Sequence, residues 1–187
     1  MSSHHIVRED QEPALIIEQI AGIPPALLDQ LLEWSPLIIT DIHNLTQVSQ
    51  RGIHVDILVS NEPVVDLPQD HIRVLQMTHS FLDTALSYLI KRKCPAANIV
   101  STDMRPDQLL RYSANIHAVL LGNGKRIFAA RSGFSKWRPK GQSVFLYDEH
   151  VDVQGLQAVD NGEYVTTADG FYSIHFDRPL SLVGERL

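Results

Sequence analysis

The sequence predicts an α/β fold: an open, mostly parallel sheet with flanking helices, followed by a small antiparallel β-sandwich. Three observations lead there. Strand-like and helix-like segments alternate up to about residue 118, the pattern of a sheet with helices on its faces. Several strand-like segments are continuous apolar runs, which suits strands covered on both sides. Beyond residue 118 the helices stop, and short strand-like segments follow one another with Gly and Asp between them. The α/β unit is assigned to residues 1–128 and the sandwich to residues 129–187. The second unit is small for independent stability, so it is expected to lean on the first or on a second subunit.

The elements follow in order. "ALIIEQI" (Ala14–Ile20) reads as a strand. "PALLDQLLEW" (Pro25–Trp34) carries Leu27, Leu28, Leu31 and Leu32 on a helical stripe, with Pro in its first turn. "PLIITD" (Pro36–Asp41) is a buried strand, and "IHNLTQVSQRG" a short helix closed by Gly52. "HVDILVS" (His54–Ser60) and "HIRVLQM" (His71–Met77) are further strands. "SFLDTALSYLIKRK" (Ser80–Lys93) is the strongest helix, with Phe81, Ala85, Tyr88 and Leu89 on one side and three cations at its end. "ANIVST" is a strand and "PDQLLRYSANI" a helix. "HAVLLGNGKRIFAAR" reads as a hairpin turning at Asn-Gly. "GQSVFLYDE", "DVQGLQAV", "GEYVTT", "GFYSIHF" and "LSLVGE" are the strands of the sandwich. "RSGFSKW" reads as the link between the two units.

Composition narrows the function classes. The chain has 187 residues, 44% of them hydrophobic and 20% charged, with a net charge of -6. Its longest basic run is "KRK", so nucleic-acid binding is not expected. No apolar run has the length of a membrane helix, and the polar start lacks an apolar signal core. A single cysteine, Cys94, rules out an internal disulfide. A cytoplasmic protein without membrane or nucleic-acid partners is the expectation.

Most isolated motifs have plain explanations. "GNGK" lacks the spacing of a phosphate loop and reads as a turn. The nine histidines show no metal-like spacing; His175 alternates with Phe171 and Ser173 on one strand face. Cys94 has cations before it but no histidine fixed beside it. No nucleophile elbow is present. Asp41 stands at a strand tip before a helix. It can meet a ligand or cap the helix, and the local sequence favours the cap.

The order of several short motifs resembles the thiamine pyrophosphokinase (thiamin diphosphokinase) family, over Ile38 to Glu185. Asp41 and Asn44 stand in that family's Asp-Gly-x-x-Asn segment. Gly52 through Asp56 resembles its Gly, gap and Pro-Asp. Arg105–Gln108 resembles its Arg-x-Asp-His, with Gln108 in place of His. "PKGQSVFLYDEHVDVQGLQ" and "GFYSIHFDRPLSLVGE" look like the opening and closing strands of its sandwich. The resemblance implies a homodimer, Mg²⁺ and ATP as cofactors, and diphosphate transfer from ATP to thiamine with release of AMP. It implies a ligand set of Asp41, Asn44, Asn61, Arg105 and Asp107 for a nucleotide, thiamine or thiamine diphosphate.

Three positions depart from the family. Where it carries Gly-Asp-x-Asp-Ser, this chain has Ser60-Asn61-Glu62-Pro63-Val64, so Asn61 and Pro63 replace two aspartates. A third family acid, at the start of the long helix, falls on Phe81. Magnesium is a hard cation that prefers carboxylates and water, and phosphoryl transfer relies on it to neutralise crowded oxygens. Glu62, Asp66 and Asp83 are the nearby acids that remain. The segment between "GLQ" and the last strands is also short and lacks the family's Ser-Asn pair. The expectation is a relative that is weakly active or non-catalytic, with no metal ligand or catalytic residue assigned, and that still binds nucleotide or thiamine. The alternative is an interaction homodimer, with Trp137, Tyr147 and Tyr172 lining its surface.

Overall fold

The structure is a computed structural model that describes residues 12–34, 37–63, 67–103 and 105–187. Its first half is built from β1 (Ala14–Ile17), α1 (Pro25–Glu33), β2 (Ile38–Asp41), α2 (Ile42–Gln50), β3 (Ile57–Ser60), β4 (Arg73–Gln76), α3 (Phe81–Lys91), β5 (Ala96–Val100) and α4 (Asp107–Tyr112). β6 (His117–Gly122) and β7 (Lys125–Arg131) form the expected hairpin, and Asn123 and Gly124 both adopt positive φ at its turn.

The strands of the first half pair in parallel, in the order β6-β5-β1-β2-β3-β4. β1, β2 and β3 are buried at every residue, which explains why each reads as an unbroken apolar run. Helices cover both faces. On one, Phe81, Leu82, Ala85, Leu86 and Leu89 of α3 pack on Ile16, Ile39, Val59 and Ile99. On the other, Leu28 of α1 and Leu45 and Val48 of α2 pack on Leu15, Ile17 and Leu58. β4 forms one edge of the sheet and is mostly exposed.

The sheet does not stop at β6. β7 pairs antiparallel with it, and β14 (Leu180–Arg186), β9 (Ser143–Leu146), β12 (Glu163–Thr166) and β11 (Leu156–Asp160) continue the same sheet to eleven strands. A three-stranded sheet of β10 (Val151–Gln154), β13 (Gly170–Phe176) and β8 (Phe134–Arg138) lies against this extension. Tyr172, Ile174 and Phe176 from the small sheet meet Ala130, Val144, Leu146 and Val183 from the large one. The fold is thus mixed α/β, with a parallel run that passes directly into antiparallel strands. Among the described residues, no helix is long and apolar enough to cross a membrane.

Several segments differ from expectation. The strand "ALIIEQI" ends at Ile17, and Ile20–Gly22 form a 3-10 turn. "DVQGLQAV" is two strands in different sheets, broken at Gly155. Gly155 has φ +73, and a Cβ there would lie 3.1 Å from the Phe171 carbonyl, so only glycine makes this crossing without strain. "RSGFSKW" is no loose link: it contains a turn at Ser132-Gly133 and most of β8. Tyr172, expected on a surface, is fully buried, because its position on β13 faces the large sheet. Trp137 and Tyr147 are exposed, and so is the β13 face that carries Phe171 and His175.

Candidate functional site

Six parallel strands present their carboxyl ends along one edge of the sheet. β1 has β2 on one side and β5 on the other, so the chain's progression reverses there. Crevices at such reversals are where open α/β sheets bind ligands.

Asp41 ends β2 and is the N-cap of α2. Its Oδ1 accepts from the Asn44 backbone N–H and from the Asn44 side-chain amide, each at 2.8 Å. Asp41 and Asn44 therefore do come together, and the cap that the local sequence favours is formed. Asp41 is buried and Asn44 half-buried.

Ser60 and Ser101 end β3 and β5 and are both fully buried. Each uses its hydroxyl in the same way. Ser60 Oγ donates to the Glu62 carbonyl (2.8 Å) and accepts from the Glu62 N–H (3.1 Å). Ser101 Oγ donates to the Asp103 carbonyl (3.2 Å) and accepts from the Asp103 N–H (3.0 Å). These turns fix how the chain leaves each strand. Asn61 sits in the first turn with its side chain exposed, and its carbonyl accepts from Gln76 Nε2 at 3.3 Å.

Arg105 lies beyond β5. Its Nη2 bonds Glu18 Oε1 at 3.0 Å, just after β1, and its Nε bonds Asp103 Oδ2 at 2.9 Å. Asp107 is exposed in the first turn of α4. Glu18 was not singled out by the sequence. The signal was present, since it is an acid at the tip of a buried strand, as Asp41 is. From Asn61 beyond β3 to Arg105 beyond β5 the edge crosses three strand spacings, about 14 Å. The sequence-derived residues thus share one edge but form separate groups.

The remaining acids have other duties. Both oxygens of Asp83 are occupied: the Tyr112 hydroxyl donates to Oδ1 at 2.6 Å, and Ser80 Oγ donates to Oδ2 at 2.7 Å. The Tyr112 hydrogen bond holds the Asp83 carboxyl below its usual range; burial opposes this, and Ser80, Arg111 and His79 add to the lowering. Asp83 thereby ties α3 to α4. Phe81 is buried in the core at the start of α3. Glu62 is exposed, and Asp66 lies outside the described residues. Among the described residues, no group of three or more His, Cys, Asp or Glu could hold a metal ion.

No family model matches the sequence, and no curated protein matches it with significance. Solved structures do resemble the fold. Thiamine pyrophosphokinase from Bacillus subtilis aligns with TM-score 0.64 at 14% identity, covering 94% of this chain and 99% of that one. The enzyme from Geobacillus thermodenitrificans aligns with TM-score 0.67 at 10% identity, covering 93% and 97%. That from Candida albicans gives TM-score 0.67 at 8% identity, covering 97% and 90%. At such identities the likeness establishes the fold alone.

Proposed function

We propose that this chain, built on the thiamine pyrophosphokinase fold, binds a nucleotide, thiamine or thiamine diphosphate without transferring diphosphate at an enzyme's rate. Residues 1–128 carry the binding edge, and residues 129–187 complete the fold as a shortened sandwich. The observation behind this reading is how four carboxylates along this edge of the sheet are used. Asp41 is engaged by Asn44, Asp83 by Tyr112 and Ser80, and Glu18 and Asp103 by Arg105. The positions that resemble the family's metal-binding aspartates hold Asn61, Pro63 and Phe81.

These residues do not fit a magnesium-bound triphosphate. Magnesium needs near-octahedral oxygen donors, including at least one or two carboxylates free to turn toward it. Here Asp41, Asp83, Glu18 and Asp103 are held by the protein's own donors, and freeing Asp41 or Asp83 would leave part-buried hydrogen-bonding groups without partners. Glu62 and Asp107 are exposed, and among the described residues no group of three acids or histidines comes together to hold the ion. Beside Asp41, there remain for a ligand Asn44, Asn61, the exposed Asp107 and the exposed part of Arg105, which is 45% accessible. Such a set suits recognition of a polar or anionic ligand better than chemistry on it.

The test is calorimetric titration with thiamine, thiamine diphosphate and ADP, each without magnesium. The reading expects saturable binding of at least one, weakened by Asp41→Asn and by Arg105→Gln. A folded protein that binds none of them would refute it.

A second reading, an interaction homodimer, has one observation of its own. Trp137 and Phe171 are cross-strand partners on the outer face of the small sheet, 52% and 73% exposed. Adjacent exposed aromatics of this size are candidates for burial against another surface. Light scattering on the purified protein decides it, since a monomer at all accessible concentrations would exclude the dimer.

A further inference from the structure

The extension of the large sheet contains a cluster that the binding edge does not use. Glu185 on β14 is 3% exposed, and three cations converge on it. Arg126 reaches Oε2 with Nε at 2.7 Å and Nη2 at 2.5 Å. Lys136 Nζ reaches Oε2 at 2.8 Å, and Arg138 Nη2 reaches it at 2.5 Å. Arg138 Nε and the Tyr172 hydroxyl lie 3.3 Å and 3.2 Å from Oε1. Among the described residues, no other ion pair involves these three cations.

The charges do not balance. Three cations face one carboxylate, an excess of two positive charges in a protein whose net charge is -6. Like charges held this close repel one another, more strongly where water is partly excluded. The Lys136 ammonium is held below its ordinary value chiefly by burial; Glu185 opposes this, and the charges of Arg126 and Arg138 add to the lowering. The carboxylate forms the floor, while Arg126, Lys136 and Arg138 keep side-chain exposures of 37%, 28% and 30%. Each guanidinium has five N–H groups in a fixed fork, and those not on Glu185 remain for a second acceptor.

We infer that Arg126, Lys136 and Arg138, held in place by Glu185, form a binding site for a doubly charged phosphate or diphosphate group. The excess of two positive charges matches such an anion, and paired arginine forks match its oxygens. A monocarboxylate would leave the site positive. The cluster is built on β7, β8 and β14. β7 stands four strand spacings, about 19 Å, from β2, which carries Asp41. The inference does not depend on the proposed function.

Titration of the full chain with inorganic pyrophosphate, and separately with inorganic phosphate, tests it. Expected is saturable binding of one or both by low-millimolar concentration, weakened about tenfold or more in Lys136→Gln and in Arg138→Gln. Arg178→Gln, on a surface pair with Asp148, should leave the titration unchanged. No saturable binding of either anion to the folded wild type would overturn the inference. So would equal binding by the wild type and the folded Lys136 and Arg138 variants.

Discussion

Replacing Glu185 by Gln should destabilise the protein at neutral pH and cease to matter in acid. The Glu185 carboxyl is pushed up by burial, but hydrogen bonds from Arg138 and Lys136 and the Arg126 charge more than offset this. The net result lowers it from 4.5 to about 2. Each pKa unit is worth about 1.36 kcal/mol. The drop from 4.5 to about 2 therefore links roughly 3 kcal/mol of folding stability to the ionised form. Because the folded value lies below the unfolded one, this stability is fully present above pH 4.5 and is lost as pH falls toward 2. Removing the carboxylate also leaves three cations without their counter-charge, which in buried pairs costs about 3–5 kcal/mol. Urea unfolding of wild type and Glu185→Gln, followed by circular dichroism from pH 7 downward, reads the difference directly. The gap should be about 3 kcal/mol or more at pH 7 and should narrow steadily below pH 4.5. A variant as stable as wild type at pH 7, or a gap that does not change in acid, would refute the reasoning.

Three further substitutions probe other parts of the fold. Asp41→Ala removes the N-cap of α2 and should cost about 1–2 kcal/mol in denaturant unfolding, whereas Asp41→Asn keeps most of that stability. Tyr112→Phe deletes the 2.6 Å hydrogen bond to the Asp83 carboxylate and should cost about 1.5–3 kcal/mol; a double-mutant cycle with Asp83→Asn should show most of it as coupling. Gly162→Ala places a Cβ 2.6 Å from the Leu146 carbonyl at φ +73, so its melting temperature should fall by several degrees, about 2 kcal/mol or more.

Much of the first half was legible because its signals are local. Four-residue strands buried on both faces leave apolar runs, as "IITD" and "ILVS" do. The Asn123-Gly124 turn and the Asp41 cap are written in adjacent residues. What was hidden depends on distant partners. The separation of β10 from β11 at Gly155 shows only when β13 is placed beside one and β12 beside the other. "RSGFSKW" looks like a link because its inward and outward residues are defined by β13, more than thirty positions later. The candidate site was partly legible: Asp41 and Asn44 were found together, while Glu18 gains its meaning only from Arg105, 87 residues away. The Glu185 cluster had no sequence signal, since its three cations are 47 to 59 positions from the carboxylate.

The measurement that bears most directly on the account is turnover. The folded protein is incubated with thiamine, ATP and Mg²⁺, beside a thiamine pyrophosphokinase as positive control, and thiamine diphosphate and AMP are separated by chromatography. Neither product is expected above a protein-free control, because Asp41, Asp83, Glu18 and Asp103 are held by Asn44, Tyr112, Ser80 and Arg105, and among the described residues the exposed Glu62 belongs to no group of three or more His, Cys, Asp or Glu that could hold a metal. Magnesium-dependent formation of both products would contradict it, and would mean that acids such as Glu62 or Asp83 turn to hold the metal.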